Sequence, residues 1–300
     1  MYLMETIQEK QTLTLTPVLS TYYSHDRDQY ITFVEKDHTY ILSFEPDVKY
    51  TSVTTWNHEY FSKFDADVII QKMMNSKSWK PGHKYWGMTP DEIKTMWNNN
   101  SASVISAGTE LHFQIECFHN QPSLPVGYSN LELYNLYKKK DKASYTNSLE
   151  WQYFIKFIKD HTHLRPYRTE WCIFHEEAKL SGSIDMVYKN PDGTYSIYDW
   201  KRSKQIIRFN SFNVFATSPI ICHLPDSNFW QYALQLNTYK FILESKYDIQ
   251  IHSMFLVRMH PDATEETYEL IELPDLQNEI RELVEERIAS FSQNPKTLKH

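Results

Sequence analysis

The amino-acid sequence predicts a mixed α/β fold, a sheet flanked by helices, and two observations carry that reading. The first is a run of three strand-like segments, YRTEWCIFHEE, LSGSIDMVYKN and GTYSIYDWK, that begins at Tyr167 and is broken only by short turns. Strands joined this closely pair as an antiparallel meander, because a parallel connection needs a crossover of a dozen residues or more. The second is what brackets the meander. A helical stretch from about Ser103 to Phe118 precedes it, and a helix from Asp226 to Glu244 and the strand IHSMFLVRM follow it. From Ser103 onward the order is helix, three strands, helix, strand, which suggests an α/β sandwich and argues against a doubly wound sheet.

The remaining elements follow from local signals. Residues from about 20 to 56 alternate polar and apolar, in ITFV, TYILSF and YTSVTTW, and predict a β-rich start. A helix is expected from Asp65 to Met74. Another begins at Thr89-Pro90-Asp91-Glu92, where an N-cap, a proline at the first helical position and early acids coincide. The charged, aromatic stretch from Leu131 to Asp160 reads as helical, and Pro274 to Phe291 as a last amphipathic helix. Two regions are expected: residues 1–100, β-rich then helical and packed on the core, and residues 101–300, the core with its C-terminal helix.

Composition narrows the function classes. The chain has 300 residues, 41% of them apolar and 15% aromatic with 21 Tyr, enough for a substantial core. Only 6 Gly occur, with no GxGxxG and no GxxxxGK[ST], so glycine-rich phosphate cradles are excluded. Three scattered cysteines, Cys117, Cys172 and Cys222, give neither a disulfide framework nor a zinc site and fit a reducing compartment. No apolar run reaches transmembrane length, and the start MYLMETIQEKQ reads as neither signal peptide nor presequence. The expectation is a soluble intracellular protein, cytoplasmic or nuclear, without a membrane partner. Net charge is −7, yet Lys201, Arg202, Lys204 and Arg208 form one basic cluster and Lys138, Lys139, Lys140 and Lys142 another. An acidic chain with such patches can still bind nucleic acid. The second run also fits a solvated helix face.

The segment with the most chemistry is GSIDMVYKNPDGTYSIYDWK, residues 182–201. Asn190-Pro191-Asp192-Gly193 suits a type I turn whose glycine takes the left-handed conformation and closes a three-residue hairpin loop. Such a loop pairs Asn190 with Thr194, and symmetric counting sets Asp185 opposite Asp199. Lys201, two residues on, shares the face of Asp199. A loop one residue longer or shorter would put the carboxylates on opposite faces. Two facing carboxylates repel unless a cation or proton sits between them. Oxygen ligands of this kind suit Mg2+ or Mn2+, and a neighbouring lysine can contact a phosphate or help orient and deprotonate water. The acid-x-Lys triplet alone decides little, since Asp47-Val-Lys49, Glu92-Ile-Lys94, Glu177-Ala-Lys179 and Glu244-Ser-Lys246 repeat it. A salt-bridged pair on an exposed sheet face is the plain alternative.

GSIDMVY followed by YSIYDWKRSK resembles two motifs of the PD-(D/E)XK nucleases, in their RecB-like branch. Gly108-Thr109-Glu110-Leu111-His112 looks like that branch's G-T-x-x-H helix, and Gln235-Leu-Asn-Thr-Tyr239 like its QxxxY motif. Glu170 stands where the family often has an acid on the first core strand. The resemblance runs from about Ser101 to Met259 and is similar to that seen in mitochondrial genome-maintenance exonucleases and in nucleases of phages and large DNA viruses. His38-x-Tyr40 and Ser52-Val-Thr54 also resemble the N-terminal region of such proteins, without an assigned chemistry.

The resemblance implies a restriction-endonuclease-like core of α-β-β-β-α-β order around a central mixed sheet. It also implies catalytic roles for Asp185, Asp199 and Lys201, and a metal, Mg2+ or Mn2+, held by His112, Asp185, Asp199 and Glu170, with the Trp200 carbonyl as a further ligand. Gln235, Tyr239, Arg202, Ser203 and Lys204 would contact substrate. Two departures stand out. Arg202 replaces the threonine of the usual D-x-K-T-S, and three scattered cysteines cannot supply the four of the iron–sulfur subgroup, so no such cluster is expected. The expected activity is a metal-dependent DNase, an exonuclease of DNA processing, repair or recombination, acting on single-stranded DNA or on single-stranded ends. The rivals are a structure-specific endonuclease or RNase on the same scaffold, and a non-catalytic nucleic-acid-binding protein.

Overall fold

The computed structural model of the chain describes residues 18–140, 146–210 and 212–293. The start of the chain and Lys142 lie outside them. A short helix, α1 (Val18–Tyr22), leads to an antiparallel hairpin of β1 (Ile31–Val34) and β2 (Thr39–Leu42), with Ile31 opposite Leu42. The hairpin buries Ile31, Tyr40 and Leu42 against Phe174. The segment YTSVTTW departs from the strand expected there. Only Thr51–Ser52 (β3) is strand; Ser52 then caps α2 (Val53–His58), its hydroxyl accepting from the Thr55 amide at 3.1 Å. Val53, Trp56 and Asn57 are the residues it buries, an i, i+3, i+4 set hidden inside an alternating sequence.

Helix α3 (Ala66–Met74) starts at Asp65, whose carboxylate accepts from Val68 N. Thr89 and Glu92 form the capping box of α4 (Pro90–His119), a single helix of 30 residues. Two helices were expected, one from Thr89 and one from about Ser103 to Phe118, with the polar run Asn98 to Ser101 between them in the sequence. Nothing in that run breaks a helix, and it continues through Gly108. The division expected between residues 100 and 101 therefore falls inside α4. The stretch after α4 holds α5 (Asn130–Lys139) and α6 (Leu149–Asp160), on either side of residues 141–145.

The main sheet has six strands. β4 (Arg165–His175), β5 (Leu180–Lys189) and β6 (Tyr195–Lys201) form the antiparallel meander. Helix α7 (Asn228–Lys246) crosses over to β7 (Ile251–Arg258), parallel to β6, and β8 (Glu269–Glu272) closes the edge antiparallel. α8 (Gln277–Gln293) packs on α7. The sheet is thus mixed and flanked by helices, the expected class. One layer joins Ile184, Val187, Ile197 and Leu256 to α7, α8 and α2. The other joins Met186, Tyr188, Tyr198, Trp200 and Val257 to α4, α5 and α6. Burial of this kind, at roughly 25 cal/mol per Å² of apolar surface, is what holds the strands between two helical layers.

Candidate active site

The site grows out of the β5–β6 hairpin. Asn190 N donates to Thr194 O at 2.8 Å, Gly193 N to Asn190 O at 3.1 Å, and Gly193 has φ +90°. The ladder runs from Lys189 opposite Tyr195 to Met186 opposite Tyr198, and there it stops. The next pair in that register is Asp185 and Asp199. Here the Asp185 side chain takes over the role of the ladder, its Oδ2 accepting from Trp200 N at 2.8 Å.

β5 is paired with β4 along its length, so β3, bonded at Leu180 and Ser181, shares the other edge with β6. Between them, residues 182–185 are unpaired on that edge. The opening in the sheet is therefore bounded by Gly182 at one end and Asp185 at the other.

Glu170 faces this opening from β4. Its neighbours pair as Thr169 with Met186 and Trp171 with Ile184, so Glu170 stands level with Asp185. It does so at φ +43°, a left-handed conformation that costs a non-glycine residue about 1 kcal/mol or more. Ser183 Oγ donates to Glu170 Oε2 at 3.1 Å and fixes the carboxylate. From the other side, α4 delivers His112. Its Nε2 lies 2.8 Å from Trp200 O, so that nitrogen carries the proton and donates. Nδ1 is then turned to the acids, 3.6 Å from Asp185 Oδ2 and 3.8 Å from Glu170 Oε1. The ligand atoms of His112, Glu170 and Asp185 lie within 4.8 Å of one another.

Asp199 and Lys201 share a face, as alternation along β6 requires. Lys201 Nζ is 2.6 Å from Asp199 Oδ2 and 4.5 Å above the ring of Tyr232 on α7. Asp199 is 3% exposed, and its charge is met by this ammonium. Its carboxylate stands beside the three-residue cluster, turned to Lys201.

The electrostatics are those of a pocket that wants a cation. Burial raises the carboxyl groups of Asp185 and Asp199, and each is raised further by a neighbouring acid, while His112 and Lys201 pull both down. Burial opposes charge on His112, but Asp185 and Glu170 outweigh it and push the imidazole up to about 9. Burial likewise opposes charge on Lys201, and Asp199 and Asp185 override it, so the ammonium is held well above its usual range.

The other sequence-predicted residues divide. Gln235 and Tyr239 are both buried on α7, with Gln235 Nε2 donating to Tyr239 Oη at 3.1 Å. The Tyr239 ring lies on Gly182, where a Cβ would come 2.6 Å from Cε1. Gly182 is needed because the helix approaches the sheet opening this closely. Arg202 turns away from the opening, its Nε 2.7 Å from Glu150 Oε1 on α6 in a largely buried ion pair. Ser203 bonds Gln205 O, and Lys204 is exposed and 3.2 Å from Asp262. Lys138 lies over the Tyr134 ring and Lys140 donates to Gln121, on the far helical layer.

Three residues at the site had no assigned role in the sequence. Tyr232 touches Lys201. Tyr40, from the N-terminal hairpin, is buried and close enough to Glu170 and Asp185 for their charges to raise it further than burial alone. Glu116, one turn beyond His112, is pushed up to about 7 by burial and by Glu170 and Glu35. The resemblance at His38-x-Tyr40 was the only signal for Tyr40, and helical periodicity the only one for Glu116.

Comparison with known proteins bears on this arrangement. The family described as the PD-(D/E)XK nuclease superfamily matches residues 121–297, more than half of the chain. The chain belongs to that superfamily. Membership indicates a nuclease, a hydrolase acting on nucleic acid, and members of the superfamily generally use divalent metals such as Mg2+ or Mn2+. The match spans β4, β5, β6 and α7 and leaves out α4, the source of His112. No curated protein matches the chain. Among solved structures, the crystal structure of SSO0001 is similar at 16% identity, over 53% of this chain and 65% of that one, with a TM-score of 0.24. This PD-(D/E)XK chain thus spans less than two thirds of that structure. Among the described residues no helix is long and apolar enough to cross a membrane.

The residues present fit a divalent metal. One imidazole nitrogen and two carboxylates converge, and a third carboxylate stands beside them. Hard oxygen donors with a single imidazole suit Mg2+ or Mn2+ better than thiophilic ions. The Trp200 carbonyl is engaged by His112. A second group, His175, Glu176 and Glu177, does not match it, because Arg27 and Lys246 already neutralise its carboxylates.

Proposed function

We propose that this superfamily member is a metal-dependent deoxyribonuclease of the RecB-like branch, an exonuclease that degrades DNA from single-stranded ends during DNA processing, repair or recombination. The observation that carries the reading is the convergence of His112, Glu170 and Asp185 beside the Asp199–Lys201 pair at one opening in the sheet. His112, Asp185, Asp199 and Glu170 would hold Mg2+ or Mn2+, which when bound lowers the pKa of water and polarises a phosphoryl oxygen. Lys201, held as an ammonium, would stabilise charge that develops on the scissile phosphate and orient the attacking water. Gln235 would fix the Tyr239 hydroxyl beside the carboxylates and keep the opening in shape. The similarity to mitochondrial genome-maintenance exonucleases and to phage and viral nucleases belongs to the same reading.

The test compares wild type with Asp185→Ala and Lys201→Ala on labelled DNA, with Mn2+ and with EDTA. The expected result is metal-dependent cleavage that both substitutions abolish. Wild-type activity surviving both would sink the assignment. End-labelled and covalently closed circular substrates separate exonuclease from endonuclease, and labelled RNA tests the alternative polymer. Metal-free binding with no cleavage under any condition would favour the non-catalytic alternative.

A further inference from the structure

The segment between β6 and α7 carries the most exposed aromatic side chains near the candidate site. Phe209 is 76% exposed and Phe212 85%, with Ile207, Val214 and Phe215 partly exposed around them. Neither Phe209 nor Phe212 makes a ring contact among the described residues. Water-facing phenylalanines are costly, and such a patch marks a surface that something covers.

Asn210, between the two rings, is tied into the fold by its side chain. Asn210 Nδ2 donates to Val214 O and to Asp226 O, both at 2.7 Å, and its Oδ1 accepts from the Phe212 and Val214 amides at 3.0 Å. Ile207 N donates to Asn228 Oδ1, and Arg208 O accepts from Trp230 Nε1. The loop is thus anchored on the first turn of α7. Tyr232, in the next turn, lies against Lys201. At ~1.5 Å of rise per residue, the anchor at Asn228 is about 6 Å along the helix from the Lys201 contact.

Charge selects the occupant. Arg208 stacks over Phe229 at 3.8 Å, is exposed, and has no carboxylate partner among the described residues. Lys204 lies in the same loop and is exposed as well. Flat aromatic rings flanked by cations, on a loop anchored to α7 and continuous with the strand that ends in Lys201, match an unpaired nucleic-acid strand. Its bases stack on phenyl faces while its phosphates meet the cations.

We propose that Phe209 and Phe212 form a stacking platform that grips unpaired bases of the substrate strand beside the candidate active site. The proposal rests on the nuclease reading for its substrate class, and it names where the single strand is held.

Binding is measured in EDTA, where no cleavage occurs, by fluorescence anisotropy of labelled oligothymidylate and of an abasic phosphodiester of equal length. The wild-type chain binds oligothymidylate more tightly than the abasic strand. Phe209→Ala/Phe212→Ala weakens oligothymidylate about tenfold or more per lost stack and leaves the abasic strand unchanged, while Phe209→Tyr/Phe212→Tyr keeps both affinities. Both rings are exposed, so the Ala variant should keep the wild-type unfolding temperature, measured alongside. Oligothymidylate binding that survives the Ala substitutions, or equal loss for both strands, overturns the platform; the first outcome would point to a protein partner for the patch. Asp185→Asn separates the two readings, because it should abolish cleavage and keep the difference between the strands.

Discussion

Replacing Gly182 by alanine tests how α7 closes on the sheet opening. The added Cβ would lie 2.6 Å from Tyr239 Cε1 and 3.2 Å from its Oη, where ordinary contact begins near 3.4 Å. The ring must therefore retreat by about 0.8 Å, the difference between 3.4 and 2.6 Å. It cannot do so freely, since Tyr239 is 3% exposed and its hydroxyl is held by Gln235 at 3.1 Å. Overpacking of this kind costs about 1–3 kcal/mol. At roughly 2–4 °C per kcal/mol for a domain of this order of size, the unfolding temperature should fall by about 2–12 °C. The decisive measurement is a double-mutant cycle in urea. In a Tyr239→Ala background the clash is gone, and Gly182→Ala should then cost less than about 0.5 kcal/mol. An equal cost in both backgrounds would refute the close approach. Cleavage should fall in Gly182→Ala because the Tyr239 hydroxyl is displaced from its place beside Asp185 and Asp199.

Three further outcomes follow from the same geometry. His112→Ala should weaken Mn2+ binding at least about tenfold, read by calorimetry on the intact chain, and an unchanged affinity would remove His112 from the ligand set. Arg202→Ala strands Glu150, 10% exposed, without its cation, and should cost on the order of 3 kcal/mol of stability. Arg202→Met/Glu150→Leu should recover most of that loss, and if it does not, the pair is not the cause. Burial holds His119 and His175 down to about 4. The unfolded chain, with histidines near ~6.5, therefore takes up protons first on acidification. Stability should be complete above pH ~6.5 and fall toward pH ~4, with a loss at pH 5 of about 2 kcal/mol for each histidine. A urea midpoint that does not move between pH 7.5 and 5 would contradict it.

The meander, the crossover helix and the hairpin register were legible in the sequence because each rests on local chemistry. The Asn190–Gly193 turn alone sets the pairing that points Asp185 at Asp199. What local chemistry could not reveal came from tertiary contacts. Glu170 reaches the opening through a left-handed backbone inside a continuous strand, and no residue pattern announces that conformation at a glutamate. Tyr40 arrives from a hairpin more than 140 residues away from Asp185 in sequence, and Tyr232 through a helix face that reads as core. Ser52 shows the reverse failure, since alternation in YTSVTTW concealed a capping serine and a helical burial pattern. Arg202, directly after Lys201, reads in the sequence as a substrate-contacting cation. It is instead consumed by Glu150 on α6, a partner 52 residues earlier in the chain.

The acid-x-Lys triplet occurs five times in this chain, and what separates the copy at Asp199 is the number of charges that meet there. At Glu177 and Glu244 the neighbouring groups can be satisfied pairwise at the surface. At the opening, the cationic groups that Asp185, Asp199 and Glu170 meet among the described residues are His112 and Lys201, and burial makes each unpaired charge expensive. The carboxylates favour the charged forms of both His112 and Lys201. A divalent ion held there would place two positive charges where the acids converge. Lys201 stays an ammonium as long as Asp199 is ionised beside it at 2.6 Å. In the proposed reaction its contribution would therefore be electrostatic, a positive charge at the end of β6, and deprotonation of water would fall to other groups.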